Sequence, residues 1–292
     1  MKAAGFLLCL AGMILLCAMD ATAKALGPHL STFQTTFVRY GGAVVWLVVY
    51  IALTRGAWPD PRNWRRHLLR GSTIVVTACL FFYAISRLPL AIVTALAMGA
   101  PIYVALIGVV VFKERPTPTL LAAILLGLAG SAVIVFGGGA MEIEGDLLAW
   151  TCALLAPLAY ATSIVLVKHH ADDESAAALT MASGIVSAVL VLPFALPALA
   201  LPTDAAVWLL MALIGFLGAA GFVLLTVGLR TTEASVFAIV DYMNILWAAL
   251  FGFVFFREIP ELRFWIGGGL IVAACALGAV AAARRPESPA AP

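Results

Sequence analysis

Long apolar runs, broken by short polar stretches, dominate this chain of 292 residues. An α-helix needs about 17 to 25 apolar residues to cross the hydrocarbon core of a bilayer. The pattern offers ten such runs, near residues 3–25, 32–53, 69–86, 90–112, 118–136, 147–167, 177–197, 205–228, 235–256 and 263–282. The connections between them are mostly short. The longest, TRGAWPDPRNWRRHLLR at 54–70, carries five arginines and two tryptophans, which predicts a segment lying along a headgroup surface rather than a domain. No stretch is suited to fold as a separate soluble module, so the expected class is an all-α polytopic membrane protein.

Composition agrees with the pattern. Hydrophobic residues make up 64% of the chain and charged residues 11%, against roughly 25% charged in soluble domains, and the mean hydropathy is +1.09. The first run has the look of a secretory signal, with Lys2 before an apolar stretch and an Ala-Thr-Ala at 21–23. The five cysteines (Cys9, Cys17, Cys79, Cys152 and Cys275) all fall inside spans, where a thiol acts as a small apolar filler, and they predict no disulfide framework.

Laying the chain against itself exposes an internal repeat. ALIGVVVFKERP at 105–116 aligns with ALFGFVFFREIP at 249–260 at a shift of 144, with seven of twelve residues identical and Lys113 over Arg257. The same ungapped shift puts Lys24 over Lys168, Gly71 over Gly215 and Ala84 over Gly228. The predicted organisation is two five-helix units, 1–140 and 141–284, followed by a disordered cytoplasmic tail at 285–292. Because five is odd, the first and sixth helices enter from opposite sides, and the halves form an inverted-topology repeat of the kind found in secondary transporters. The first run is needed to complete its half, which argues against its cleavage as a signal. Basic residues set the orientation: with the N-terminus cytoplasmic, twelve of the 17 lysines and arginines fall on the inner side, and Lys24, Arg87, Arg257 and Arg263 on the outer. Both termini are therefore expected in the cytoplasm.

Ten helices in two halves, Arg39 in TFVRYGGA at 36–43, and the FKERP and FREIP endings of the fourth and ninth helices resemble the drug/metabolite transporter superfamily, EamA type. Within it, DYMNILW at 241–247 is similar to the aromatic amino-acid exporters. The resemblance implies a transporter in the inner (plasma) membrane and aromatic amino acids as the substrate class. The chain departs from the family where a second mid-helix proline is common: Pro101 stands in the fourth helix, but its repeat mate is Ile245.

Polar residues inside spans are the candidates for function, since burying them in a bilayer is costly and they usually line cavities. Asp241 lies about 9 Å into the ninth helix at 1.5 Å per residue, with Asn244 one turn further on the same face, followed by Ala248 and Gly252. The alternative for this stripe is a helix seam bridged by an amide. Asp20 and Arg39 sit in the outer halves of the first two helices, where a hairpin would bring them into an ion pair; the pair reads either as structural or as an outer gate or carboxylate contact. Tyr83, Tyr103, Tyr160, Tyr242 and Trp247 offer flat faces and polar tips for a ring-bearing substrate, or are ordinary core. Pro101 and Pro157 are expected to interrupt their helices. Trp58, Trp64, Trp150, Trp208 and Trp265 are expected as interface anchors and Trp46 as packing. KHHADDES at 168–175 has ligand-type residues but no metal spacing, and Glu114 and Glu258 read as helix caps beside Pro116 and Pro260.

The leading expectation is therefore a non-enzymatic secondary transporter that exports small amphipathic metabolites by alternating access. Its partners are a small molecule and the bilayer, without metal, cofactor or nucleic acid; the oligomeric state is left open, and a monomer can be functional. A membrane-embedded enzyme would rest on the single loop with Asp172, Asp173 and Glu174. A sugar-phosphate, nucleotide-sugar or lipid-carrier transporter of the same fold would call for several buried cations, where only Arg39 is available. The absence of a G-x-x-x-x-G-K-[ST] loop argues against an ATPase.

Overall fold

Several helices begin at a capping side chain. Ser31 starts the second helix with a capping box: Gln34 N–H donates to Ser31 Oγ at 3.3 Å and Ser31 N–H donates to Gln34 Oε1 at 2.8 Å. Asp146 takes Leu148 N–H at 2.9 Å, Ser175 takes Ala178 N–H at 3.2 Å, and Asp204 takes Ala206 N–H at 2.8 Å. The second helix stops at Arg55, whose φ of 51° is left-handed, and Gly56 N–H closes the turn on Ile51 O at 3.0 Å.

The computed structural model describes residues 2–100, 103, 107, 118–136, 146–167, 175–198, 202–231 and 234–283. Its long helices are α1 (Lys2–Leu26), α2 (Thr32–Thr54), α3 (Trp64–Ile85), α4 (Leu90–Ala97), α5 (Pro118–Phe136), α6 (Leu147–Val167), α7 (Ala176–Ala195), α8 (Ala205–Thr231), α9 (Ala234–Phe256) and α10 (Leu262–Ala283). Five described stretches are long and apolar enough to cross a membrane: Gly5–Leu26, Thr32–Thr54, Pro61–Ile85, Ala176–Ala195 and Ala205–Gly228. The chain is an all-α, multi-pass membrane protein.

Two expectations change. The basic segment is shorter than its composition implied, because Asp60 caps a 3-10 turn at Pro61–Asn63 and α3 then starts at Trp64, taking Arg65, Arg66 and Arg70 into the helix. Pro157 is buried inside α6 without ending it, since neighbouring helices can re-satisfy the freed backbone group. Pro101, the loop at 168–174 and the tail at 285–292 lie outside the described residues.

Packing follows the repeat. α1 lies on α8 as α6 lies on α3, α2 on α8 as α7 on α3, and α1 on α9 as α6 on α4, while α2·α7, α4·α9 and α5·α10 pair with their own mates. Exchanging the halves leaves this set unchanged, the mark of a pseudo-two-fold axis. Single residues agree. A methyl on Gly215 of α8 would lie 2.6 Å from the Gly42 carbonyl carbon on α2, and one on Gly71 of α3 would lie 2.5 Å from Val186 Cγ1 on α7. The shift of 144 turns the first contact into the second. Such close approach is what small residues allow between helices in lipid, where apolar side chains gain nothing by leaving the tails.

The topology is inverted. Lys24 in the last turn of α1 donates to Leu88 O at 2.6 Å in the α3–α4 link, and Arg87 in that link contacts Asp146, which caps the start of α6, at 3.4 Å. α1 thus ends at the face of the bundle where α6 begins.

Candidate substrate site

Arg39 of α2 is 7% exposed and sits in an aromatic surround. Its guanidinium carbon lies 4.2 Å from the Tyr40 ring centre, 5.6 Å from that of Phe82 on α3 and 5.7 Å from that of Phe222 on α8. Nε donates to Met19 Sδ on α1 at 3.0 Å. Nη1 is closed off from solvent and has no partner among the described residues. Asp20 is within reach of the Arg39 charge, yet no N···O contact within 4 Å joins them among the described residues. The expected ion pair is not formed in this structure: α1 presents the Met19 sulfur to the guanidinium edge, and the rings cover its faces.

A second group lies on α9. Asn244 and Trp247, one turn apart, each hold a polar atom shut away from solvent without a partner among the described residues: Oδ1 of the amide and Nε1 of the indole. An unpaired buried polar atom costs about 1–3 kcal/mol, so each awaits a partner that the described residues do not supply. The lower end of the same stripe is a closed seam. Ala248 is fully buried, and a methyl on Gly252 would lie 3.0 Å from Glu258 Oε2 and 3.9 Å from Leu90 Cβ. The backbone of α9 runs through Asp241 and Tyr242, whose side chains lie outside the described residues.

The remaining aromatic candidates are dispersed. Tyr83 O–H donates to Asp146 Oδ2 at 2.6 Å at the Lys24 end of the bundle, with Arg87 stacked 3.8 Å from the Tyr83 ring centre. Asp146 lies outside the spans, and the Tyr83 hydroxyl, then the Leu148 N–H, hold its carboxyl below the usual carboxylate range. Tyr83 thus ties α3 to α6, a structural role. Tyr103 is half-buried and Tyr160 is exposed. Trp150 is buried at 5% rather than anchored at an interface, because α6 turns that face into the core. Trp46 is 42% exposed and donates to Ala212 O of α8 at 3.3 Å.

One further cluster joins the two halves. Lys24 forms an ion pair with Glu258, and Glu258 Oε2 accepts Leu90 N–H at 3.0 Å, so Glu258 caps α4 and not its own following helix. Its signal was the duplication of both partners, Lys24 over Lys168 and Glu258 over Glu114.

A family model for EamA-like transporters matches residues 3–136 and again 147–279, segments that begin 144 residues apart. The chain belongs to the EamA-like transporter family. It is 25% identical to the pseudopaline exporter CntI of Pseudomonas aeruginosa over 93% of this chain and 94% of that protein. It is 23% identical to an S-adenosylmethionine uptake transporter of Rickettsia bellii (88% and 87%) and 25% identical to a riboflavin transporter of Brucella anthropi (71% and 74%). A solved crystal structure, 19% identical, superposes with a TM-score of 0.63 over 99% of this chain and 100% of that one, which shows the fold. This EamA-like protein is a small-molecule transporter and not an enzyme. The relatives' names include both export and uptake, so membership alone sets neither cargo nor direction.

Proposed function

We propose that this protein exports small amphipathic metabolites, aromatic amino acids foremost, across the inner (plasma) membrane, with both termini in the cytoplasm. The carrying observation is the pair of unpartnered polar atoms on α9. An amide oxygen accepts from an ammonium and an indole N–H donates to a carboxylate, so Asn244 and Trp247 complement a zwitterion, while the indole face takes a ring. Asp241, one turn before Asn244, adds a carboxylate for the ammonium. α9 packs against both α1 and α4 of the first half, which supports a site between the halves 1–140 and 141–284. A site there is exposed to each side in turn as the halves rock.

The test is uptake into vesicles containing only this protein. Labelled phenylalanine, riboflavin, S-adenosylmethionine, a sugar phosphate and a lipid carrier are offered in parallel. Saturable phenylalanine uptake that Asn244→Ala reduces supports the reading. Transport confined to a phosphate-bearing cargo overturns it.

A further inference from the structure

Ser31, Thr35 and Arg39 follow one another at four-residue intervals along α2 and so share one face. Ser31 and Thr35 line a cavity of about 80 Å³ at the Lys24 end of the bundle, whose other walls include Gly27, Phe82, Ser86 and Arg87. Arg39 is not among the walls of this cavity, but Phe82 is, and the Phe82 ring centre lies 5.6 Å from the Arg39 guanidinium carbon. Phe82, itself 4% exposed, therefore borders both the cavity and the buried cation.

The chemistry of the cage is one-sided. Aromatic rings attract a cation through its faces, but the guanidinium N–H groups point outward in its plane and need acceptor atoms there. Met19 Sδ takes one edge and nothing described takes Nη1. A carboxylate is the acceptor that fits a guanidinium edge. The cavity beyond Phe82 is lined by hydroxyls and by the Arg87 cation, held by Asp146 and Ser86, which suits the passage of an anion. At about 80 Å³ it has room for a few waters only, so a metabolite enters when the ring moves.

We propose that the Arg39 cage is a carboxylate subsite for small anions with an apolar body, reached from this cavity past Phe82, which gates it, with Arg87 as the cation at the mouth. The proposal rests on the transport reading above but concerns a different part of the molecule.

Met19→Cys places a thiol in the cage, and its reaction rate is read in the purified protein with two methanethiosulfonates of similar size, one anionic and one cationic, against the wild-type background. The ratio of the two rates cancels any change in thiolate fraction. With Arg39 present the anionic reagent should be faster by about tenfold, the ratio should fall to about one in Arg39→Gln, and Arg39→Lys should keep it. Phe82→Ala should raise both rates several-fold while preserving the ratio. Phenylalanine in the buffer should slow the reaction, and phenethylamine, which lacks the carboxylate, should not. A ratio indifferent to Arg39→Gln, or a thiol that stays unreactive even with Phe82→Ala, overturns the proposal. Anion preference and Phe82 gating with no protection by phenylalanine uphold the subsite and overturn the amino-acid reading instead.

Discussion

Lys24 and Glu258 pair at one face of the bundle and join the last turn of α1 to the turn after α9, one residue from each half of the repeat. Their side chains are only 12% and 20% exposed. Lys24 also serves Leu88 O and Glu258 the N–H of Leu90, so three chain segments meet in one knot. Removing one charge strands the other. Lys24→Met and Glu258→Gln should each lower the melting temperature, and the double variant should lose less than their sum, with a coupling of about 1–3 kcal/mol. Additive losses in thermal or denaturant unfolding would show that the pair is not coupled.

The α2·α8 crossing has no room for a side chain. A methyl on Gly215 would meet Gly42 backbone atoms at 2.6, 2.7 and 3.0 Å, counting Ala43 N, whereas one on Gly269 meets nothing within 4 Å. Gly215→Ala should therefore cost about 1–3 kcal/mol of stability and Gly269→Ala close to nothing. Equal melting temperatures for the two variants would mean that α2 and α8 are not held this close.

Asp146 gives a pH prediction with a definite sign. Its carboxyl is held below the usual range by Tyr83 first, so its contribution is present above the unfolded value of about 4 and is lost as pH falls through the lower folded value. Wild type should melt above Asp146→Asn at neutral pH, and the gap should close only below about pH 4. A gap that is already gone at pH 5 would contradict this.

On α9, a carboxylate and an amide facing substrate should matter more to transport than to folding. Asp241→Asn should slow phenylalanine transport by about tenfold or more, since a desolvated carboxylate–ammonium contact is worth at most a few kcal/mol. Asn244→Ala should cause a smaller loss of the same kind. Normal transport with early melting in both variants would make the stripe a helix seam throughout.

Orientation is tested with impermeant thiol reagents on intact cells. Asp60→Cys should be shielded and Glu142→Cys labelled. The reverse pattern would put Lys24, Glu258 and the Arg39 cavity on the cytoplasmic side.

The legible part of this protein was the part written in periodicity. Ten apolar runs gave the helices because a bilayer leaves the backbone few alternatives, and the 144-residue shift gave the inverted pairing later seen in Gly42·Gly215 and Gly71·Val186. Helix ends are not set by periodicity. α3 begins at Trp64 because Asp60 builds a short turn within the polar stretch, and hydropathy does not register caps.

What the sequence by itself determined is the solvent, the helix count and the two-fold repeat, since each follows from local composition against a uniform apolar medium. Partner choice was decided only in three dimensions. Asp20 and Arg39, adjacent on a helical hairpin and opposite in charge, do not join, because Met19, Tyr40, Phe82 and Phe222 from four helices surround the guanidinium first. Lys24 reaches Glu258, 234 residues away in sequence, because the crossing of α1 and α9 brings those two ends together. Electrostatic pairing depends on distance and direction at the scale of one bond, and only the packed helices set those.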